Sequence, residues 1–361
     1  TADGLRKSLS KKRPAKQLAG YAEEFFAGAL ALGRDPAIIK KVWEMIMSFA
    51  GYSFCKGHSA SYIQVAQHSC YLRAHYPAEF MAAVLGNGGG FYHPFAYVAE
   101  AMRMGLTVHP PDVNASDFRC TGRGNEVRIG LQFVKGLSAE GAERIVRARD
   151  DSRRFRSVFD LQHRTGLAAD DLRALIKVGA LDSIADGWTR PMMLWMVDAG
   201  QRQSNGRSAP AGGDWFDHLP PAIPMLRQYS AERRRREEYE ALEFVTDTHP
   251  MRLHAERLAR FKLCRSTELH RHVGRHVLLA GMLTTAKPVH TSQDEPMEFA
   301  TFDDGEGLIE TVLFPRVYRE RGHVLFDQGP FIFRGKVEEE FGAITVTITH
   351  LDRLERAAGK A

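Results

Sequence analysis

Lys56, His58 and Ser59 fall within four residues of one another, beside Gly51 and Gly57 and among the aromatic Tyr52, Phe54 and Tyr62. A lysine supplies charge, and histidine and serine supply short hydrogen-bond donors, the groups that hold phosphate oxygens. The two glycines let the backbone turn and approach a ligand. From Ala60 the pattern becomes helical, with Tyr62, Val65, Ala66, Ser69, Leu72 and Arg73 at spacings of three and four. Ser59 is then placed to cap the helix, and a basic, hydroxyl-rich loop entering a helix N-terminus is an anion site in principle. The plainer alternative is a buried helix with a polar cap, which these residues alone fit better.

Further candidates lie on either side. The first sixteen residues hold Arg6, Lys7, Lys11, Lys12, Arg13 and Lys16 against Asp3 alone. A solvated tail is the usual fate of such a run. Lys135-Gly136 opens a helix at 139–149, and a strand, a glycine turn and a helix can present backbone amides to a DNA phosphate. Arg164 and Gly166 begin a second copy that runs to Gly179. Arg144, Arg147, Arg149, Arg153, Arg154 and Arg156 lie nearby, either as a duplex-binding face or as a charged surface balanced by Asp150, Asp151 and Asp160.

The elements that must position these residues change character along the chain. Apolar spacing gives helices over 1–48, with Asp35-Pro36 starting the last. GNGGG at 86–90 breaks the next helix, and another follows from Phe95 to Met102, ended by Gly105. Leu106–Val108 and Val127–Phe133 read as strands. GQRQSNGRSAPAGGD is a polar linker. From Val277 five segments rich in Val, Ile, Thr and Phe alternate with turn residues, which fits a five-stranded barrel. Such barrels stack single-strand bases on aromatics beside a basic groove. Phe299, Phe302, Phe314, Phe331, Phe333 and Arg334 are candidates, although most aromatics must fill so small an interior. A purely structural or protein-binding barrel fits equally. Asp303-Asp304 reads as a turn.

The net charge of +5 and pI near 9.0 favour a polyanionic partner, but acids outnumber bases after Arg271. Four scattered cysteines without a CxxC pair read as free thiols of a reducing cytoplasm, which excludes a disulfide framework or zinc site. No apolar run approaches the ~18 residues of a membrane span, and no signal peptide opens the chain. Because it starts with Thr inside a basic segment, the chain reads as a C-terminal fragment of something longer.

FAGYSFCKGHSASY followed by YLRAHYPAEFMAAVL resembles the fingers of bacterial C-family DNA polymerases, the family of the DNA polymerase III alpha subunit. The family's usual run is close to GYGFNKSHA. Ser53, Cys55 and Gly57 depart from it, while Gly51, Tyr52, Phe54, Lys56, His58 and Ser59 fit. FDLQHRTGLAADDLRALIKVGALD resembles the family's tandem helix-hairpin-helix modules, and PPDVNAS and THP fit as well. Gly90-Phe91-Tyr92 resembles the error-prone branch more than the replicative subunit.

This resemblance implies a multidomain α+β chain. Residues 1–110 would be the C-terminal part of the fingers, and 111–200 a tandem helix-hairpin-helix region. A linker would follow at 201–235, a connecting helical segment at 236–272, and an OB-fold at 273–356. It implies that Lys11, Lys12, Arg13, Lys56, His58, Ser59 and Arg73 face the incoming deoxynucleoside triphosphate. Ser10 stands where the family has a glycine. Lys135, Gly136, Arg164 and Gly166 would meet duplex phosphate, while Phe302 and Arg334 are the barrel's DNA-binding candidates, for a single strand. The family polymerises with two Mg²⁺ held by palm aspartates upstream of the fingers. No matching acidic constellation occurs here, so Mg²⁺ belongs to the longer enzyme and this chain alone is expected to be inactive. Expected partners are primer-template DNA and mutagenesis accessory proteins. Sliding-clamp contact is expected to be weak or indirect, because Asp214-Trp215-Phe216 lacks the glutamine spacing of the replicative motif. A truncated replicative subunit, a free-standing DNA-binding module and a protein-binding structural subunit are the alternatives.

Overall fold

A computed structural model of the chain describes residues 2–9, 15–48, 56–203 and 223–357. It divides into two compact units, Thr1–Ala74 and His75–Ala361.

The first unit holds α1 (Ala2–Leu9), α2 (Ala15–Ala31), α3 (Pro36–Ser48) and nearly all of α4 (Lys56–His75). Asp35 Oδ1 accepts the Ala37 and Ile38 amides at 2.7 and 3.3 Å, so the expected Asp-Pro cap of α3 is present. Trp43 joins α3 to α2, with its ring 5.4 Å from Phe25 and 6.3 Å from Phe26. The helix α4 begins at Lys56, not Ala60, so Ser59 lies inside its first turns and is not the N-cap. Gly57 is tolerated there at a cost of about 1 kcal/mol relative to alanine. The apolar residues of α4 face outward: Tyr62, Ile63 and Val65 are 65%, 67% and 61% exposed.

In the second unit, α5 (Pro77–Gly86) and α6 (Pro94–Arg103) lead into a small sheet. Its strands are β1 (Thr107–His109), β2 (Thr121–Arg123) and β3 (Glu126–Arg128), in the order β1-β3-β2. Gly122 of β2 lies so close to α5 that a Cβ there would be 2.1 Å from the Ala78 carbonyl oxygen. The strand expected over Val127–Phe133 stops at Arg128. The Leu131 and Gln132 amides donate instead to the Asp117 and Phe118 carbonyls, and the chain turns through a 3₁₀ segment at Leu131–Phe133.

Next come α7 (Ala139–Ser152), α8 (Val158–Thr165), α9 (Ala169–Val178) and α10 (Arg190–Gln203). The helix α11 (Ala231–Leu242) starts inside the expected linker, of which residues 204–222, with Asp214-Trp215-Phe216, lie outside the described residues. The short helix α12 (Ala255–Leu258) leads to the barrel.

The barrel strands are β4 (His276–His290), β5 (Pro296–Asp303), β6 (Leu308–Leu313), β7 (Phe331–Glu340) and β8 (Ala343–Arg353), with α13 (Pro315–Arg321) after the third. The order β4-β5-β6-β8-β7 closes the barrel through a parallel β6–β8 pair, the arrangement of an OB-fold. Each of the five apolar segments seen in the sequence forms one strand. Phe302, Phe331 and Phe333 fill the interior, with ring centroids 5.8 and 4.5 Å from Phe302.

Residues of α5 and α6 share one core with the hairpin helices, α11 and the outer side of β4, including Met81, Phe95, Leu172, Leu242, Ala280 and Met282. Packing therefore does not divide at residue 110. The polar lock beside this core is Asp303, fully buried, whose carboxylate accepts from Arg103 Nη1 of α6 at 2.9 Å. His249 Nε2 stands 3.5 Å from its other oxygen.

Candidate nucleic-acid interface

Two helical hairpins stand one after the other. In the first, Lys135-Gly136-Leu137 turns into α7, and the Ser138 hydroxyl accepts the Gly141 amide as N-cap. Asp171 of α9 accepts the Ser138 amide and hydroxyl at 2.7 and 3.0 Å, fixing this turn to the second hairpin. In the second, α8 ends at Gly166, whose φ of 57° is the left-handed cap conformation. Gly136, with φ of 86°, meets the same backbone requirement. Arg144 Nη1 of α7 donates to the Gly166 carbonyl at 3.2 Å and ties that helix to the second turn.

The arginines divide into two sets. Arg164 is enclosed: Nη1 pairs with Asp160 at 3.2 Å, and Nη2 donates to the Ala148 carbonyl and to the Arg153 carbonyl, the latter at 2.8 Å. Its guanidinium lies 4.4 Å from the Phe155 ring centroid. The donors of Arg164, expected to meet phosphate, brace the α7–α8 turn. Arg149 is similar, bonded to the Ser116 carbonyl, Asp117 and Asp150. Arg147, Arg153, Arg154 and Arg156 are exposed and form no ion pair among the described residues. They make the end of α7 and the α7–α8 turn a cationic prominence able to meet a polyanion.

Lys135 is half exposed and already paired with Glu243, a residue sequence reading missed. Glu243 caps α11 in a left-handed conformation, and its other oxygen lies 3.0 Å from His93 Nε2. Burial pushes the Glu243 carboxyl up, but Lys135 and His93 outweigh it and hold the group below its ordinary range. Burial also lowers the His93 imidazole, against the pull of Glu243. Such a lysine meets phosphate only in competition with Glu243.

On the barrel, Phe302 is a core residue. It is wholly buried on the inner side of β5 and offers no face to a base. Arg334 of β7 is exposed on the outer side. In the first unit His58 and Arg73 are exposed on α4 and Ser59 is half-buried. The Lys56 side chain and all of Lys11, Lys12 and Arg13 lie outside the described residues.

Among the described residues no group of three or more His, Cys, Asp or Glu is placed to hold a metal ion. The adjacent acids do not fit one. Asp303 is committed to Arg103, and Asp304 accepts from the Ser266 amide and hydroxyl at 2.7 and 2.8 Å. Among the described residues no helix is long and apolar enough to cross a membrane.

The second unit is thus a double helical hairpin fused to an OB-type barrel. A family described as a helix-hairpin-helix motif matches residues 105–190. The error-prone DNA polymerase of Symbiobacterium thermophilum is 30% identical, over 98% of this chain and 37% of its own length. That of Mycolicibacterium paratuberculosis is 30% identical over 99% of this chain and 32% of its own. The DNA polymerase III subunit alpha of Saccharopolyspora erythraea is 31% identical over 96% and 31%. Along nearly its whole length the chain is similar to error-prone DNA polymerases and DNA polymerase III alpha subunits, and it spans about a third of the length of these curated relatives.

Proposed function

We propose that this chain is the C-terminal part of an error-prone DNA polymerase, acting in damage-induced synthesis, and that its share of the work is to hold DNA and the incoming nucleotide. The observation that supports this most is the similarity along nearly the whole chain to proteins of that name, in a chain whose second unit carries two hairpins and a barrel. The exposed arginines 147–156 would track duplex phosphate. The basic residues of the first unit, Lys11, Lys12, Arg13, Lys56, His58, Ser59 and Arg73, would neutralise the triphosphate electrostatically. Mg²⁺ would be held by acidic residues of the longer enzyme, where it supplies Lewis-acid stabilisation of the transferring phosphoryl group. Accessory proteins of mutagenesis suit an error-prone enzyme, with sliding-clamp contact weak or indirect.

The reading is tested by binding the whole chain to duplex DNA across a salt series. Phosphate contacts release counterions, so affinity should fall steeply, with a log–log slope near −0.9 per contact. A flat response would remove the backbone-binding claim.

A further inference from the structure

Charge is divided between the two sides of the barrel. OB barrels ordinarily bind strands on their second and third strands and on the loops joining the first to the second and the fourth to the fifth. Here those parts are β5, β6, the 291–295 loop and the 341–342 turn. They expose Glu310 and Asp294, with Glu339 and Glu340 entering the turn. Of the basic residues there, Arg319 is bonded to Glu295, and Lys287 lies opposite Phe299. That side repels phosphate.

The outer side of β4, β7 and β8 has the opposite sign. Lys336 stands opposite His276 on β4, and Arg334 stands opposite His350 on β8. Opposed residues of neighbouring strands are about 5 Å apart, so these four exposed groups form one patch. Among the described residues the carboxylate that touches it is Glu338, 3.1 Å from Lys336. The connector over 251–276 joins the same ladder: the Cys264 amide donates to the Leu278 carbonyl at 2.8 Å, and the Val337 amide to the Arg275 carbonyl at 2.9 Å. That connector holds seven Lys and Arg against Glu256 and Glu268. Arg265 is spent on Glu306. Arg260, Lys262 and Arg275 are exposed and form no ion pair among the described residues.

We propose that the backbone of duplex DNA lies across this basic face of β4, β7 and β8 and the adjoining connector, and not across the β5–β6 side. The absence of stacking groups selects the duplex. The face's outward residues, His276, Leu278, Arg334, Lys336, Glu338, Thr347 and His350, include no Phe, Tyr or Trp. Single-strand binders need such rings for their unstacked bases, whereas duplex phosphates need only cations. The exposed Phe299 and Phe341 belong to the acidic side. The inference rests on the reading of the chain as a DNA-handling segment and adds a second duplex-contacting surface, on the barrel, to the exposed arginines of the hairpins.

The test uses the whole chain, a duplex oligonucleotide and a salt series. The double variant R334E/K336E should weaken binding about tenfold or more and reduce the magnitude of the salt slope by about 1 to 2, with Lys336 the smaller share because Glu338 competes for it. A second pair off the barrel, R260Q/K262Q, should act in the same direction without touching a strand. K287E, on the opposite side, should leave affinity and slope as in the wild type. The proposal is overturned if both pairs retain wild-type affinity and slope, or if K287E alone weakens binding. Those results would leave DNA binding itself standing. A wild-type chain that binds no duplex would instead remove the reading beneath the proposal as well.

Discussion

Arg164 and Arg154 look alike in the sequence and do different work. Arg164 donates to two carbonyls and a carboxylate inside the α7–α8 turn, while Arg154 is exposed and has no ionic partner among the described residues. Arg164→Ala removes three bonds to partly buried and exposed acceptors and should destabilise the second unit by about 1–2 kcal/mol, read from urea unfolding. R154S/R156S should leave the unfolding midpoint unchanged and weaken duplex binding. The reverse pattern would reassign both residues. The Arg164–Asp160 pair was within reach of the sequence, being i,i+4 on one helix. The capture of Lys135 by Glu243, 108 residues away, was not, because only folding brings α11 to the hairpin. His249 carries a prediction in pH. Burial lowers its imidazole below the ordinary 6.5 against the pull of Asp303, with Arg103 adding to the lowering. The unfolded chain therefore binds the proton more readily than the folded one, and stability falls as pH drops through about 6.5. Urea midpoints at pH 7.5 and 5.5 should differ less in His249→Gln than in the wild type. An equal drop in both would place the pH response elsewhere.

At the scale of elements, the barrel was the most legible part. Its strands alternate apolar and polar residues, and one face of each must enter a closed interior. The same argument limits function, because an aromatic that fills the interior cannot also stack a base. Phe302→Ala should cost about 3–5 kcal/mol through the cavity it leaves between Phe331 and Phe333. DNA affinity, measured where the variant remains folded, should stay near wild type. Lost affinity in a fully folded variant would return Phe302 to the binding surface. Elements were misread where tertiary hydrogen bonds decide. Val127–Phe133 has strand-like composition, yet the 117–118 carbonyls take its amides and turn it. The start of α4 was misplaced because Ser59 is a good cap only if the chain ahead of it is not helical, and Lys56–His58 is.

For the whole molecule, the order of hairpins and then barrel followed from pattern and resemblance, while the boundaries of packing did not. Phe95 of the segment assigned to the fingers and Leu172 of the hairpins lie in one core, which no local signal announces. The basic connector over 251–276 was legible in composition. Its seven Lys and Arg are spread over 26 residues among apolar ones, so no local run of charge marks it. We propose that this segment, about a third of the length of its polymerase relatives, grips DNA without performing the chemistry. The direct measurement is primer extension beside DNA binding on one preparation of the chain, with Mg²⁺, primer-template and all four nucleotides. Binding without extension is the predicted result. Extension by this chain alone would contradict the account, since it would require a carboxylate site among the residues described here as structural.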